Sequence, residues 1–173
     1  MQALARIPEA RVVACMDVDI DRAAEAAARF AGAGAYADLD EMLDNHELDA
    51  VYVCVPPYAH GPIERAVIER GIHLFVEKPL AVDRHTPESV LEALEGKDLI
   101  TSVGYVLRYR ENARRAREFL EGREPVAARG TYVGGVPGAP WWRRKERSGG
   151  QIIEQVPGQV EPVSYTHLTL PTN

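Results

Sequence analysis

The sequence predicts an α/β protein built on a mostly parallel sheet. Two observations carry that prediction. Apolar runs of four to seven residues alternate along the chain with segments of about ten residues bounded by helix-capping residues. The long apolar runs also break off at an acid or a proline, which ends a strand cleanly. Strands alternating with helices at this spacing imply right-handed βαβ crossovers.

Taken in order, residues 11–17 (RVVACMD) form an apolar strand ending in an acid. An alanine-rich helix follows over 21–31, with Asp21 as N-cap and Gly32 past its end. Residues 34–36 give a very short strand. A short helix then covers 39–43, capped by Asp38. The run AVYVCV at 50–55 is a buried strand closed by Pro56-Pro57. A helix over 62–70 has proline in its first turn and Gly71 after its last. Residues 73–76 form the next strand, ending at Glu77-Lys78-Pro79. A helix over 87–94, a strand over 99–105 and a helix over 111–120 continue the alternation. Residues 126–133 change to a strand with some alternation, read as entry into a second sheet.

The totals bound the function. The chain has 173 residues, 46% apolar and 27% charged, a globular balance with no run as long as a membrane span. Its start lacks the pattern of a signal peptide, and Cys15 and Cys54 sit singly inside apolar runs, so reduced thiols in the cytoplasm are expected. Net charge is −6, but residues 106–147 carry 11 basic and 5 acidic side chains. Three of those arginines, Arg114, Arg115 and Arg117, fall on one helix, and the overall charge repels a polyanion, so no nucleic-acid partner is expected.

Several residues can carry chemistry. Glu77 and Lys78 end a strand, at the carboxyl edge where open α/β sheets bind ligands. A lysine beside a carboxylate can present an ammonium to a substrate oxygen, although a surface ion pair has the same signature. Asp17 also ends a strand and can accept hydrogen bonds from a ribose, with Arg22 close by; it can equally be a solvated loop acid. Pro56-Pro57 leaves the sheet without offering amides, and His60 opens the next helix, where it can touch a ligand or simply be solvated. Arg108 can orient an anionic or hydroxylated substrate. Trp141-Trp142-Arg143-Arg144-Lys145 is the densest aromatic–basic cluster, suited to a sugar ring or to anchoring a loop.

Together these pieces resemble the glucose–fructose oxidoreductase / inositol dehydrogenase / MocA family of NAD(P)-dependent oxidoreductases. The matching stretches are ACMDVDIDRA at 14–23, CVPPYAH at 54–60, VEKPLA at 76–81, VGYVLRY at 103–109 and SGGQIIEQ at 148–155. The resemblance implies a Rossmann-like sheet over 1–105 that lacks its first strand and glycine-rich turn. The start of an open-sheet C-terminal domain would follow over 106–156, with a non-native tail over 157–173. It implies hydride transfer between NAD, or NADP, and a hydroxyl carbon of a sugar, cyclitol or similar polyol. In that reading Lys78 is catalytic and polarises the hydroxyl. Asp17, Arg22, Pro56, His60, Glu77 and Pro79 border the cofactor, with Pro79 shaping the bend through a cis bond, and Arg108 and Trp142 border the substrate. A full-length member is expected to be a homo-oligomer. The missing turn, and the family's helical Asp and His, which Pro157-Gly158-Gln159-Val160-Glu161 replaces here, imply that this chain alone is an inactive fragment. A non-catalytic ligand-binding module on the same fold is the alternative.

Overall fold

The computed structural model describes residues 4–123, 126–127, 131 and 133–155. The chain divides into two compact units, Met1–Ala50 and Val51–Asn173.

The first unit is a single βαβ crossover with one added helix. Strand β1 (Ala14–Met16) leads into helix α1 (Ile20–Ala27), and strand β2 (Gly34–Tyr36) returns parallel to β1. Their register pairs Cys15 with Ala35. Ala23 and Ala27, one helical turn apart, are the buried stripe of α1. The small side chains let a helix sit close to so short a sheet. The N-cap of α1 is Asp19, whose carboxylate accepts from the Asp21 amide, and not Asp21 itself. Helix α2 (Leu39–Asn45) does start on Asp38, which accepts from the Glu41 amide at 2.9 Å. Met42 and Leu43 turn inward from it.

The second unit carries a three-stranded sheet in the order β3 (Ala50–Val53), β4 (His73–Val76), β5 (Thr101–Val103). Strands β4 and β5 are parallel, with Leu74 opposite Thr101 and Val76 opposite Val103. The strand period of two sends Val51, Val53, Leu74 and Val76 to one buried face. On the other face Tyr52 and Phe75 stack, ring centroids 4.7 Å apart. Helix α3 (Pro62–Glu69) contributes Val67 and Ile68, both fully buried. Each such side chain stabilises the unit by about 1.5–3 kcal/mol. Helix α4 (His85–Leu94) packs on α3. It begins two residues earlier than the sequence suggests, because Asp83 accepts from both the amide and the hydroxyl of Thr86.

Beyond β5, a 3₁₀ turn at Val106–Tyr109 precedes helix α5 (Glu111–Leu120). Arg114 and Arg115 on α5 are tied to Glu111, and Arg114 also to Glu118, which makes this basic stretch a charge-balanced helix face. A second 3₁₀ turn at Pro140–Arg143 leads into helices α6 (Lys145–Ser148) and α7 (Gly150–Gln155). Of the strand expected over 126–133, residues 128–130 and 132 lie outside the described residues, and Val126, Ala127, Thr131 and Val133 are not in a strand. The expected tail over 157–173 lies wholly outside them.

Candidate functional site

The site gathers where β3, β4 and β5 end. The Glu77 amide donates to the Val53 carbonyl at 2.9 Å, and the Gly104 amide to the Val76 carbonyl at 2.8 Å. Three strand ends are thereby locked side by side. The loops that leave them, at 54–61, 77–84 and 104–110, share the carboxyl edge of the sheet.

Glu77 and Lys78 part company at this edge. The Glu77 carboxylate accepts from the Lys78 backbone amide at 3.1 Å and lies flat against Gly104. A Cβ on residue 104 would meet a Glu77 oxygen at 2.7 Å, so the absence of a side chain there makes room for the carboxylate. The Lys78 ammonium takes a different partner. Successive side chains on an extended backbone leave opposite faces, and Lys78 reaches Glu154, 76 residues away. Nζ lies 2.8 Å from Glu154 Oε1 and 2.9 Å from the Glu154 carbonyl oxygen. The Lys78 side chain is 28% exposed and that of Glu154 9%. The expected Glu77–Lys78 charge pair is therefore replaced by a half-buried Lys78–Glu154 pair. The Lys78–Pro79 bond is cis, as the resemblance implies.

Glu154 is aimed by its neighbours. Gly149 (φ +71°) and Gly150 (φ +80°) turn the chain between α6 and α7 in a conformation that L side chains avoid. A Cβ on Gly149 would lie 2.6 Å from that of Ile153. The second carboxylate oxygen, Oε2, accepts from the Trp142 indole at 3.0 Å and from the Gln155 amide. Both oxygens of Glu154 are thus held by donors.

A second buried cluster opens α3. The Glu64 carboxylate accepts from the Gly61 amide and faces His60 Nδ1, both at 2.5 Å. A carboxylate only accepts, so the proton of this hydrogen bond sits on Nδ1. In the neutral ring Nε2 is then a bare acceptor. It is buried with no hydrogen-bond partner among the described residues. His60 is consequently not a solvated loop residue.

The remaining candidates fall as follows. Pro56 precedes the 3₁₀ turn at Pro57–Ala59, whose Tyr58 ring carries the Arg147 guanidinium at 5.1 Å. Arg108 lies over the Tyr109 ring at 6.0 Å. Cys54, one residue past β3, has its thiol pKa raised, first by desolvation and then by the Glu77 charge. In the first unit, Asp17 closes a turn by accepting from the Asp19 amide at 3.0 Å. Arg22 turns to Asp19 at 3.5 Å. A groove of about 400 Å³ lies between α3 and α4, lined by Gly61, Arg65, Thr86 and Ser89 among others. Neither Lys78 nor Glu154 lines it, so chemistry and concavity do not coincide. Among the described residues no cluster of His, Cys, Asp and Glu could hold a metal ion, and no helix is long and apolar enough to cross a membrane.

Three residues of this site escape a reading of the sequence: Glu154, Glu64 and Gly104. Glu154 is the one acid in SGGQIIEQ, and Glu64 stands four residues after His60 on a proline-started helix, a spacing that brings side chains together.

The chain is similar to known proteins in sequence and in fold. A family model described as an oxidoreductase family with an NAD-binding Rossmann fold matches residues 1–105. Inositol 2-dehydrogenase of Arthrobacter sp. strain FB24 is 37% identical over 106 residues, covering 60% of this chain and 31% of that one. The chain thus spans about a third of the length of that curated relative. KijD10, a 3-ketoreductase from Actinomadura kijaniata solved with TDP-benzene and NADP, superposes with a TM-score of 0.62 at 26% identity, over 69% of this chain and 38% of that chain. GenD2 from gentamicin A biosynthesis, solved with NAD, has a TM-score of 0.80 at 24% identity, over 95% of this chain and 48% of that chain, and supports the fold alone.

Proposed function

Because the chain belongs to the oxidoreductase family with the NAD-binding Rossmann fold, we propose that it serves hydride transfer at a hydroxyl-bearing carbon of a cyclitol or sugar. The observation that carries this reading is the Lys78–Glu154 pair at the carboxyl edge of the sheet.

Each unit, taken by itself, carries residues suited to part of a nicotinamide dinucleotide. Asp17 ends β1 with a carboxylate suited to a ribose diol. Arg22 is drawn to Asp19, which leaves Asp17 to disfavour a 2′-phosphate and tilts the preference toward NAD. The unpartnered His60 Nε2 offers an acceptor on the loop after β3. A bound nicotinamide would supply the hydride acceptor for the carbinol carbon, or the donor in the reverse direction.

The chain's own residues handle the proton. An ammonium has three N–H donors, and two of those on Lys78 go to Glu154. The third can reach a substrate oxygen and stabilise the negative charge that grows there as the C–H bond breaks. Lys78 gives one N–H proton to Glu154 Oε1, 2.8 Å away, and the nitrogen lone pair so freed takes the hydroxyl proton, which restores the ammonium. Glu77, tied to the backbone, shapes the turn that carries Lys78.

The test is turnover by the full-length protein with NAD or NADP and a panel of inositols and aldoses, read as nicotinamide absorbance. Reduction of NAD with at least one polyol supports the reading. Tight NADH binding without turnover of any substrate would favour a ligand-binding module, and absence of both would overturn the reading.

A further inference from the structure

We infer that Trp142 is a positioning residue, which acts on the reaction through Glu154 and not by stacking on a substrate. The inference rests on the functional reading above. It departs from the simpler use of an aromatic–basic cluster, a platform for a sugar ring.

The argument is geometric. Glu154 has three side-chain torsions and lies on a helix of only six residues. Held by Lys78 alone, its carboxylate could swing about the one contact at Oε1. The Trp142 indole N–H takes Oε2 at 3.0 Å from the other side. The indole is rigid, with two torsions, and its backbone is fixed by the 3₁₀ turn, where the Trp142 amide donates to the Ala139 carbonyl at 3.0 Å. The Gln155 amide shares Oε2, but it sits on the adjacent residue of the same short helix and cannot anchor that helix to anything else. Trp142 therefore fixes the plane of the carboxylate, and that plane fixes where the Lys78 ammonium points. A hydrogen bond to a charged acceptor is also about twice as strong as a neutral one. The N–H so engaged is not available to a substrate hydroxyl.

Stacking requires the ring face, and positioning requires the N–H, so Trp142→Phe separates them. The experiment is a double-mutant cycle in the full-length protein with Trp142→Phe, Glu154→Gln and the pair, using the best polyol from the panel. The expected result for W142F is a kcat lower by roughly tenfold, the low end of what outer-shell partners cost. KM should stay within about twofold, and the further loss in the E154Q background should vanish. A raised KM at unchanged kcat, or losses that multiply in the double variant, would overturn the inference and leave the oxidoreductase reading intact. Absence of turnover in the parent protein is the failure of the reading itself. The indole ¹⁵N–¹H resonance that disappears in W142F then decides the inference. Its displacement in E154Q sustains the positioning contact, and an unmoved resonance removes it.

Discussion

Glu64 and Glu154 are both buried carboxylates in the second unit, and both accept hydrogen bonds on each oxygen. They differ in where their partners come from. Those of Glu64, Gly61 and His60, lie within four residues and form with the first turn of α3. The partners of Glu154 include Lys78, 76 residues earlier, and Trp142, 12 residues earlier. A local cluster closes almost no loop, whereas the long one must be repaid by packing, with a closure entropy that grows as the logarithm of its length. The first cluster therefore builds an element, and the second reports that distant elements have docked. Chemistry is better placed on the second, because it assembles only when the fold around it is complete.

Removing Lys78 should break this contrast most sharply. Lys78→Met deletes the group proposed to face the substrate oxygen and strands Glu154 without its cation. Turnover of the best polyol should fall by about 10²–10⁴, and a loss under tenfold would mean that the long-range pair is structural only. Glu64→Ala comes next. It leaves the Gly61 amide and His60 Nδ1 without their acceptor and should destabilise the protein by about 3 kcal/mol, read from urea unfolding. Glu64→Gln should lose less, yet its amide would donate to Nδ1 and move the ring proton to Nε2, an inversion visible in the ¹⁵N shifts of His60. A smaller effect is expected for Gly149→Ala, at about 1–2 kcal/mol for the left-handed backbone. A Cβ at 2.6 Å from Ile153 would also tilt α7, so W142F and G149A should impair turnover non-additively.

The smallest effect belongs to Asp83. Its carboxyl lies below the ordinary range, chiefly because it accepts from the Thr86 amide. A depressed folded pKa gives stability that is complete above the unfolded value of about 3.9 and fades as pH falls through the folded one. The stability gap between wild type and Asp83→Asn should hold at neutral pH and close under acid. A gap that persisted below that range would show that the Asp83–Thr86 contact is not electrostatic.

The sequence and the structure agree where local chemistry decides. Gly34–Tyr36, His73–Val76 and Glu111–Leu120 have the expected bounds, and Asp38 caps α2 as its position suggests. Agreement is looser where a neighbour decides. β1 and β5 are shorter than their apolar runs, since apolar residues beyond the paired stretch add no ladder. Asp19, not Asp21, caps α1, because either acid satisfies the local pattern and only the backbone entry angle separates them. Lys78 stands out in the sequence at the end of its strand, but its partner does not. No periodicity links residues 78 and 154, and the adjacent Glu77 looks like the natural counter-charge. Glu64 was readable in principle, four residues after His60. The orphaned Nε2 was not, since burial of one ring nitrogen is a property of the packed state.

Cys54 has a practical corollary. Its thiol sits beside Glu77 and is partly stripped of water, both of which keep it protonated, and Cys15 is buried with a raised pKa of its own. The thiolate is the form that alkylating reagents attack, so the exposed Cys54 should label more slowly than an unperturbed surface thiol, and the buried Cys15 more slowly still. A single cysteine introduced on an exposed helix face, away from any acid, should therefore take up a spectroscopic probe ahead of both native thiols.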